Sequence, residues 1–397
     1  MKRVSPIRTT AGIDRRVLLG AAAAALAWPP PLRAQEGIRV AALHPVAGPL
    51  AGAGSLARAG VRLGRELSGG DASGVDLREV DLDPDPGRAA DTVSRLAEEG
   101  VSALIGCLTS PLTYAVALAA RRHGLPLMVD SAGSDAFLGS DMPRVFRFSP
   151  GFDRIARDGV AALAAFNEAS GAPARSVQIV AEARGFGANV AARVADRLDE
   201  AGFELFDTLS VRTPGNADET AETVRHSGAD IVVPLASAQI MEPLLAAILR
   251  EGVPAKALFT VMGPLAGETE ALAKPAFDLL LDANHGFSVA GPEGVRLRSA
   301  IASGGLPVRP EVYLAVNAMR CLCNAVRRAG SADPGEIARA IAAGGWREPA
   351  MPYGPTAFAD GQNIGAQGVV LQVQAARAAL VAPSPQADAE AVYPRPV

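Results

Sequence analysis

Between residues 36 and 382, short apolar runs alternate with longer segments in which apolar residues recur every three or four positions. Short runs without polar alternation, separated by helical segments, are typical of parallel strands that are buried on both faces. The pattern therefore predicts repeated β-α units and an α/β fold. The predicted strands are residues 38–44, 75–82, 103–106, 126–130, 177–181, 203–211, 230–234 and 257–260.

The alternation breaks near Phe148-Ser149-Pro150-Gly151 and then starts again. We therefore predict two doubly wound parallel sheets in separate lobes rather than one long sheet. After helices at 311–329 and 334–343, the segment 353–373 is predicted to be a hairpin: a strand, a turn at Asp360-Gly361 and a second strand. Residues 383–397 are rich in proline and alanine and are predicted to be a flexible tail.

The first 34 residues have the features of an export signal. Arg15-Arg16 precedes a short apolar run, and Pro29-Pro30-Pro31 and the small residue Ala34 follow it. The run is too short to cross a bilayer, and the paired arginines are typical of the twin-arginine route. We expect a mature protein that begins near Gln35 and acts in the periplasm. A disordered basic tail is the alternative, although a dense apolar run argues against it.

Composition excludes several classes of function. The net charge is −4, and no Lys/Arg cluster forms a surface for phosphate, so we expect no nucleic-acid partner. The cysteines Cys107, Cys321 and Cys323 form no metal or redox motif and are interpreted as buried small residues, while a disulfide of Cys107 stays open. The four histidines match no metal or catalytic motif. We therefore predict a binding protein without a cofactor or metal, not an enzyme.

Two loops at predicted strand ends carry the candidate binding groups. One contains Ser110, and the other, residues 130–134, contains Ser131 and Ser134. In open α/β sheets a ligand lies beyond the carboxyl ends of the strands, where hydroxyls and helix N-termini can hold a carboxylate. His44 follows the first strand, where it could face a cleft. The alternative is that the serines are simple N-caps and that His44 has a capping or hydrogen-bonding role.

These and further segments resemble the periplasmic substrate-binding proteins of branched-chain amino acid ABC transporters over nearly the whole mature length. Each motif is weak alone, but their order and spacing together are specific. The matching segments are VAALHPVAGPL at 40–50 with Gly60, DPDPGRA at 83–89, VSALIG at 101–106 with Ser110, LPLM at 125–128 with Ala132 and Ser134, FRFSP at 146–150, YLAV at 313–316 with AGS at 329–331, and YGPTAF at 353–358.

The resemblance implies the type I periplasmic binding protein fold, in which a three-crossover hinge joins two lobes around the ligand. It implies a first lobe of residues 36–149 plus 285–352 and a second lobe of residues 150–284 plus 353–382. The ligand carboxylate is held by Ser110, the Ala132 backbone and Ser134. An ABC permease in the inner membrane is the implied partner of a monomer.

The second lobe departs from the amino-acid-binding pattern of that family. Phe186 stands where a tyrosine is usual, another customary tyrosine falls near Ser237, and Leu265 replaces the acidic residue that pairs with an α-ammonium group. A buried ammonium without a counter-charge is costly. The resemblance therefore implies a small, partly apolar acid rather than an α-amino acid, unless Asp135 or Glu268 supplies the missing charge.

Three functions follow from these features. The first is a receptor that delivers its ligand to an ABC permease. The second is a sensor of the same fold that acts on a regulatory partner, and the third is an exported α/β enzyme. The export signal favours the first two, and the lack of a catalytic motif counts against the third.

Overall fold

The structure is a computed structural model that describes residues 37–396, so the predicted export signal lies outside the described residues. Two sheets organise the chain, and each has helices on both faces. The predicted α/β class with two doubly wound lobes is confirmed. The α-helices are α1 (Ala51–Leu67), α2 (Pro86–Glu98), α3 (Ser110–His123), α4 (Phe152–Ala169), α5 (Phe186–Glu200), α6 (Ala217–Ser227), α7 (Ala238–Arg250), α8 (Pro292–Ser303), α9 (Pro310–Ala329) and α10 (Pro334–Ala342).

The first lobe is built on a seven-stranded sheet. Its strands are β1 (Ile38–His44), β2 (Val75–Asp81), β3 (Ala103–Gly106), β4 (Leu127–Val129), β5 (Val145–Arg147), β12 (Phe358–Ala359) and β13 (Gln362–Asn363). The order is β12-β13-β5-β4-β3-β1-β2, and only the β12–β13 pair is antiparallel. Helices α1, α8, α9 and α10 pack on one face, and α2 and α3 pack on the other.

The second lobe is built on an eight-stranded sheet. Its strands are β6 (Ser176–Glu182), β7 (Glu204–Leu205), β8 (Leu209–Val211), β9 (Ile231–Leu235), β10 (Ala257–Val261), β11 (Leu281–Asn284), β14 (Val369–Gln374) and β15 (Arg377–Ala382). The path is β15-β14-β11-β10-β9-β6-β7, with β8 also paired to β6. Helices α6 and α7 cover one face, and α4 and α5 cover the other. The single strand predicted at 203–211 is two short strands, β7 and β8.

The chain passes between the two sheets three times: after β5, after β11 and after β13. Beside the first crossing, Phe148 contacts Trp346 and Tyr353, with ring centroids 5.8 and 5.7 Å apart. At the third crossing, the Gly368 N–H donates to Asp158 on α4 at 2.9 Å. Aromatic contacts and backbone hydrogen bonds thus hold the crossings at defined positions.

The hairpin predicted over 353–373 is different in the structure. The Asp360-Gly361 turn joins only β12 to β13, which lie in the first sheet, while β14 lies in the second sheet and pairs with β15. The third crossing therefore follows Asn363, later than the predicted boundary at residue 353. The side chain of Arg147 explains the attachment of the hairpin to β5, because its Nε donates to Gln362 at 2.8 Å.

The C-terminal segment, predicted to be a flexible tail, packs against the second lobe. The Asp388 carboxylate accepts hydrogen bonds from Ser288 Oγ at 2.6 Å, from the backbone N–H groups of Val289 and Ala290, and from Leu380 N–H. The Tyr393 hydroxyl donates to Asn167 at 2.8 Å. The proline- and alanine-rich composition of this segment does not indicate that it is ordered, because most of these hydrogen bonds are accepted by one carboxylate, that of Asp388.

Within the first lobe, α1 and α9 approach closely. A Cβ added at Gly60 of α1 would lie 2.5 Å from the Val312 carbonyl oxygen of α9, and Gly64 stands in the same relation to Val316. Glycine at both positions lets the two backbones touch. The two helices pack side by side on one face of the first sheet.

Candidate functional site

Three adjacent strands of the first lobe end at one edge, where β3 lies between β1 and β4. The last residue of β3, Gly106, pairs with Leu43 on one side and with Val129 on the other. Gly106 has a φ of 151°, and an added Cβ would lie 2.4 Å from the Leu43 carbonyl oxygen. Glycine is required there. Because Gly106 has no side chain, the last residue of β1 and the residue that follows β4 can meet across the end of β3.

His44 and Asp130 make this contact. His44 Nε2 lies 2.6 Å from Asp130 Oδ2, and both side chains are fully buried. Burial opposes ionisation of Asp130, but the His44 imidazole and the Ser131 hydroxyl outweigh it and hold the pKa of Asp130 below its ordinary value. Asp130 is therefore an ionised acceptor, and His44 Nε2 carries the donated proton. His44 Nδ1 is buried and has no hydrogen-bond partner among the described residues.

The predicted serine loops lie together above this pair. The Ser134 N–H donates to Ser110 Oγ at 3.3 Å, and Ser134 Oγ accepts a hydrogen bond from Ala136 N–H at 3.2 Å. Ala132 lies between them along the loop and is buried. Ser110 is the first residue of α3, whose N-cap is Thr109, so Ser110 is not the N-cap of that helix. Both hydroxyl protons have no acceptor within residues 37–396.

Ser131 differs from these two serines. Its hydroxyl donates to Asp130 Oδ1 at 2.8 Å, so its proton is already used. The sequence predicts Ser131 in this loop and indicates no role for it beyond a possible cap. The signal that could have identified the role is a polar residue at the end of each of two strands, His44 as the last residue of β1 and Asp130 directly after β4.

Arg147 fixes the position of the 130–134 loop. Its side chain is almost fully buried, and its Nη1 donates to the Ser134 carbonyl oxygen at 2.7 Å. Its Nη2 pairs with Asp135. Burial lowers the pKa of the guanidinium, and Asp135 opposes this effect. One cation therefore joins the loop to β5 and, through Gln362, to β13.

In the second lobe, Ser237 and Phe186 lie at the ends of β9 and β6. Both the N–H and the hydroxyl of Ser237 donate to Glu182, at 2.9 and 3.2 Å. Phe186 begins α5, and its ring meets that of Phe152 edge-on with centroids 6.5 Å apart. Glu182, whose carboxylate accepts both bonds, is not among the site residues predicted from the sequence.

Leu265 is buried in a 3-10 turn that follows β10. Its N–H and that of Gly263 donate to the Asp282 carboxylate, each at 2.9 Å, and Asn284 Nδ2 adds a third bond at 3.0 Å. Burial raises the pKa of Asp282 to about 7 despite these donors. The acidic residue of this region is thus Asp282, which lies on β11 two residues before Asn284. Its carboxylate binds the backbone of the loop that contains Leu265.

Two hydrogen bonds join the lobes beside these loops. The Phe152 N–H donates to the Gly133 carbonyl oxygen at 3.3 Å, and the Tyr313 hydroxyl of α9 donates to the Ala266 carbonyl oxygen at 3.1 Å. Phe186 therefore connects through Phe152 to the 130–134 loop, and Leu265 lies next to the contact with α9. The two lobes are therefore in contact at two points beside these loops.

Neither acid considered as a substitute counter-charge is free. Asp135 pairs with Arg147, and Glu268 lies 2.7 Å from Arg298. A cavity of about 610 Å³ next to Glu268 is lined by Leu265, Phe287, Tyr313 and other residues of both lobes. Of the seven predicted site residues, Leu265 alone lines this cavity.

Other predicted features can be compared with residues 37–396. The three cysteines are buried and unbridged, as interpreted from the sequence. No group of three His, Cys, Asp or Glu side chains in this range could hold a metal ion. None of the helices in this part of the chain is both long and apolar enough to cross a membrane.

Comparison with known proteins places this arrangement in context. The family model described as periplasmic binding protein matches residues 37–378. No curated protein sequence matches the chain.

Solved structures share the fold. A solute-binding protein of an ABC transporter from R. palustris, in complex with benzoate, has 21% identity and a TM-score of 0.68 and covers 90% of this chain and 98% of its own. An ABC transporter substrate-binding protein from Desulfitobacterium hafniense, in complex with Leu, has 17% identity and a TM-score of 0.70 and covers 87% and 100%. A leucine-binding protein from Thermotoga maritima has 17% identity and a TM-score of 0.66 and covers 86% and 97%.

The type I fold and the resemblance seen in the sequence are therefore confirmed. With more than half of its length matched by the family model, the chain belongs to the periplasmic binding protein family.

Proposed function

We infer that the protein captures a small, partly apolar carboxylate between its lobes in the periplasm and delivers it to an ABC permease. The observation that carries this inference is the Ser134 N–H to Ser110 Oγ contact, which places two hydroxyls with free protons side by side at the start of α3. Hydroxyl donors and the positive end of a helix are suited to a carboxylate.

The remaining predicted residues have distinct roles in this proposal. Phe186 offers an apolar surface for the body of the ligand, and the Ala132 backbone lies within the donor loop. His44, Ser237 and Leu265 support the loops from beneath, because His44 and Leu265 are buried and Ser237 is bound to Glu182. We prefer the edge formed by Ser110, Ser131 and Ser134 (the serine edge) to the 610 Å³ cavity. The serine edge presents hydroxyl donors at the start of a helix, whereas Glu268 and Arg298, which line the cavity, are paired with each other.

Similarity supports the size and class of the ligand. The R. palustris relative holds benzoate and the Desulfitobacterium hafniense relative holds Leu, both small molecules with a carboxylate and an apolar body. In this chain Leu265 is apolar and Glu268 is paired, so a ligand without an ammonium group fits better.

A binding panel tests the proposal. Purified protein is titrated with isovalerate, benzoate, phenylacetate and leucine, and melting temperature and radius of gyration are recorded. A ligand at a hundred times its Kd adds about 2.7 kcal/mol to the free energy of unfolding, so a rise in melting temperature and compaction are expected for at least one acid. Ser110→Ala should abolish most of the shift. The absence of any shift, or chemical conversion of the acid, would contradict a receptor.

A second experiment separates delivery from sensing. The permease is reconstituted in liposomes, and uptake of the bound acid is measured with and without this protein. We expect uptake only when the protein is present. Binding without any stimulated uptake would favour the sensor of the same fold. The monomeric state and the twin-arginine export route are further parts of the proposal, to be measured by light scattering and by export in a strain that lacks that route.

A further inference from the structure

The hydroxyl groups of the serine edge differ in hydrogen-bond polarity. Ser110 Oγ and Ser134 Oγ each accept a backbone N–H, and each keeps its own proton for a ligand. The Ser131 hydroxyl instead donates its hydrogen bond to Asp130, so Ser131 Oγ can only accept a hydrogen bond from a ligand. The edge therefore presents two donors and one acceptor.

The buried His44–Asp130 pair fixes the direction of the Ser131 hydrogen bond. Asp130 is ionised and fully buried, and an ionised carboxylate can only accept hydrogen bonds. His44 Nε2 occupies the other oxygen of Asp130 at 2.6 Å, so the pair cannot turn to donate a proton to Ser131. Reversing Ser131 would leave a buried carboxylate oxygen without its partner, which is costly.

A simple carboxylate does not satisfy this edge. Its two oxygens suit Ser110 and Ser134, but the lone pairs of Ser131 require a donor next to the carboxylate. An α-ammonium group is a donor, yet Leu265 stands where its counter-charge is expected, and Asp135 and Glu268 are paired with arginines. A neutral hydroxyl meets the requirement without an added charge.

We propose that the ligand is a 2-hydroxy acid, with its carboxylate at Ser110 and Ser134 and its hydroxyl donating to Ser131, which the His44–Asp130 pair holds as an acceptor. This rests on the proposed carboxylate receptor and names the ligand class of the same site. Ser131 becomes a specificity-determining residue, and His44 and Asp130 are positioning residues that act through it.

Matched pairs of acids test the proposal by calorimetry. The pairs are isovalerate with 2-hydroxyisovalerate and 3-phenylpropionate with 3-phenyllactate, because each pair differs in one hydroxyl. A neutral hydrogen bond corresponds to about a threefold to tenfold difference in Kd, so the hydroxy acid should bind tighter by that factor. Valine should bind more weakly than 2-hydroxyisovalerate.

Variants of the loop provide the controls. Ser131→Ala should bring the ratio of the two Kd values to about one while leaving the Kd of the deoxy acid within about twofold, and Ser131→Thr, which keeps the hydroxyl, should retain the ratio. Ser134→Ala should weaken both acids and preserve the ratio. Melting temperatures without ligand confirm that each variant folds.

The outcomes separate the two levels of inference. If acids bind but the hydroxyl gives no advantage, or if Ser131→Ala leaves the ratio unchanged, the 2-hydroxy acid is excluded and the receptor stands. If valine binds tightest, a charged donor is preferred and the neutral hydroxyl is excluded. If no acid of either pair binds and the wider panel also fails, the receptor itself is contradicted.

Discussion

The strand ends of the two lobes use their acidic residues in opposite ways. In the first lobe, Asp130 is backed by His44 and fixes the polarity of Ser131, whose neighbours keep free hydroxyl protons. In the second lobe, Glu182 and Asp282 bind the backbone of their own loops and leave Phe186 as the aromatic surface. In the proposed receptor, the first lobe would therefore orient the polar groups of the ligand, and the second lobe would cover its apolar part.

Removing His44, the last residue of β1, should give the largest loss in the free energy of unfolding. His44→Ala leaves the Asp130 carboxylate buried without its partner, and breaking such a pair costs about 3–5 kcal/mol of the free energy of unfolding. Urea denaturation measures the loss. Glu182→Gln in the second lobe is the control and should lose much less, because Glu182 is partly exposed. Equal losses would remove the contrast between the lobes.

The buried acid of the second lobe should give a pH dependence. Burial raises the pKa of Asp282 to about 7 in the folded chain, so the folded state binds the proton more tightly than the unfolded state. Its contribution to stability is present below about pH 4 and is lost as pH rises to about 7. His285 has the opposite sign, because burial, reinforced by Arg147, lowers its pKa to about 4.

The variant Asp282→Asn isolates the first of these two effects. The difference in unfolding free energy between the natural chain and the variant should fall between pH 4 and pH 7 and stay constant above pH 7. Denaturation at several pH values gives this difference. A difference that does not change with pH would show that Asp282 titrates normally.

Matched serine substitutions compare the binding role of each lobe directly. Ser110→Ala removes a donor to a charged group, worth about 1.5–3 kcal/mol, and should weaken isovalerate binding by about tenfold to a hundredfold. Ser237→Ala should change this affinity by less than about twofold, because the Ser237 hydroxyl is already bound to Glu182. Calorimetry measures both. A larger effect of Ser237→Ala would transfer the polar role to the second lobe.

The smallest effect is expected from the segment that supports the second lobe. Asp388→Ala removes the acceptor of Ser288, Val289 and Ala290 at the second crossing and should cost about 1–2 kcal/mol of unfolding free energy. Substituting the exposed Glu390 in the same segment is the control. Thermal denaturation measures both changes. A stability equal to that of the control would show that the tail packs without supporting the crossing.

The alternation of apolar runs and helices was sufficient to predict the fold class and the two sheets. It was not sufficient for β15 or the tail, because their order depends on pairing with β14 and on single contacts such as that of Asp388. The strand-end rule predicted the loops of Ser110 and Ser134. The same rule could not show that Asp130 accepts the hydrogen bond of the Ser131 hydroxyl. That arrangement depends on His44, which contacts Asp130 across Gly106 from a strand far away in sequence.

The contact of Phe148 with Trp346 has a practical consequence. The sequence contains two tryptophans, and the other, Trp28, lies in the predicted export signal, so removal of the signal leaves Trp346 as the sole indole. Its ring lies 5.8 Å from an aromatic residue beside the first crossing. If the lobes close on a ligand as proposed, emission from this one fluorophore should change, and the unlabelled protein would then be an optical reporter of its own occupancy.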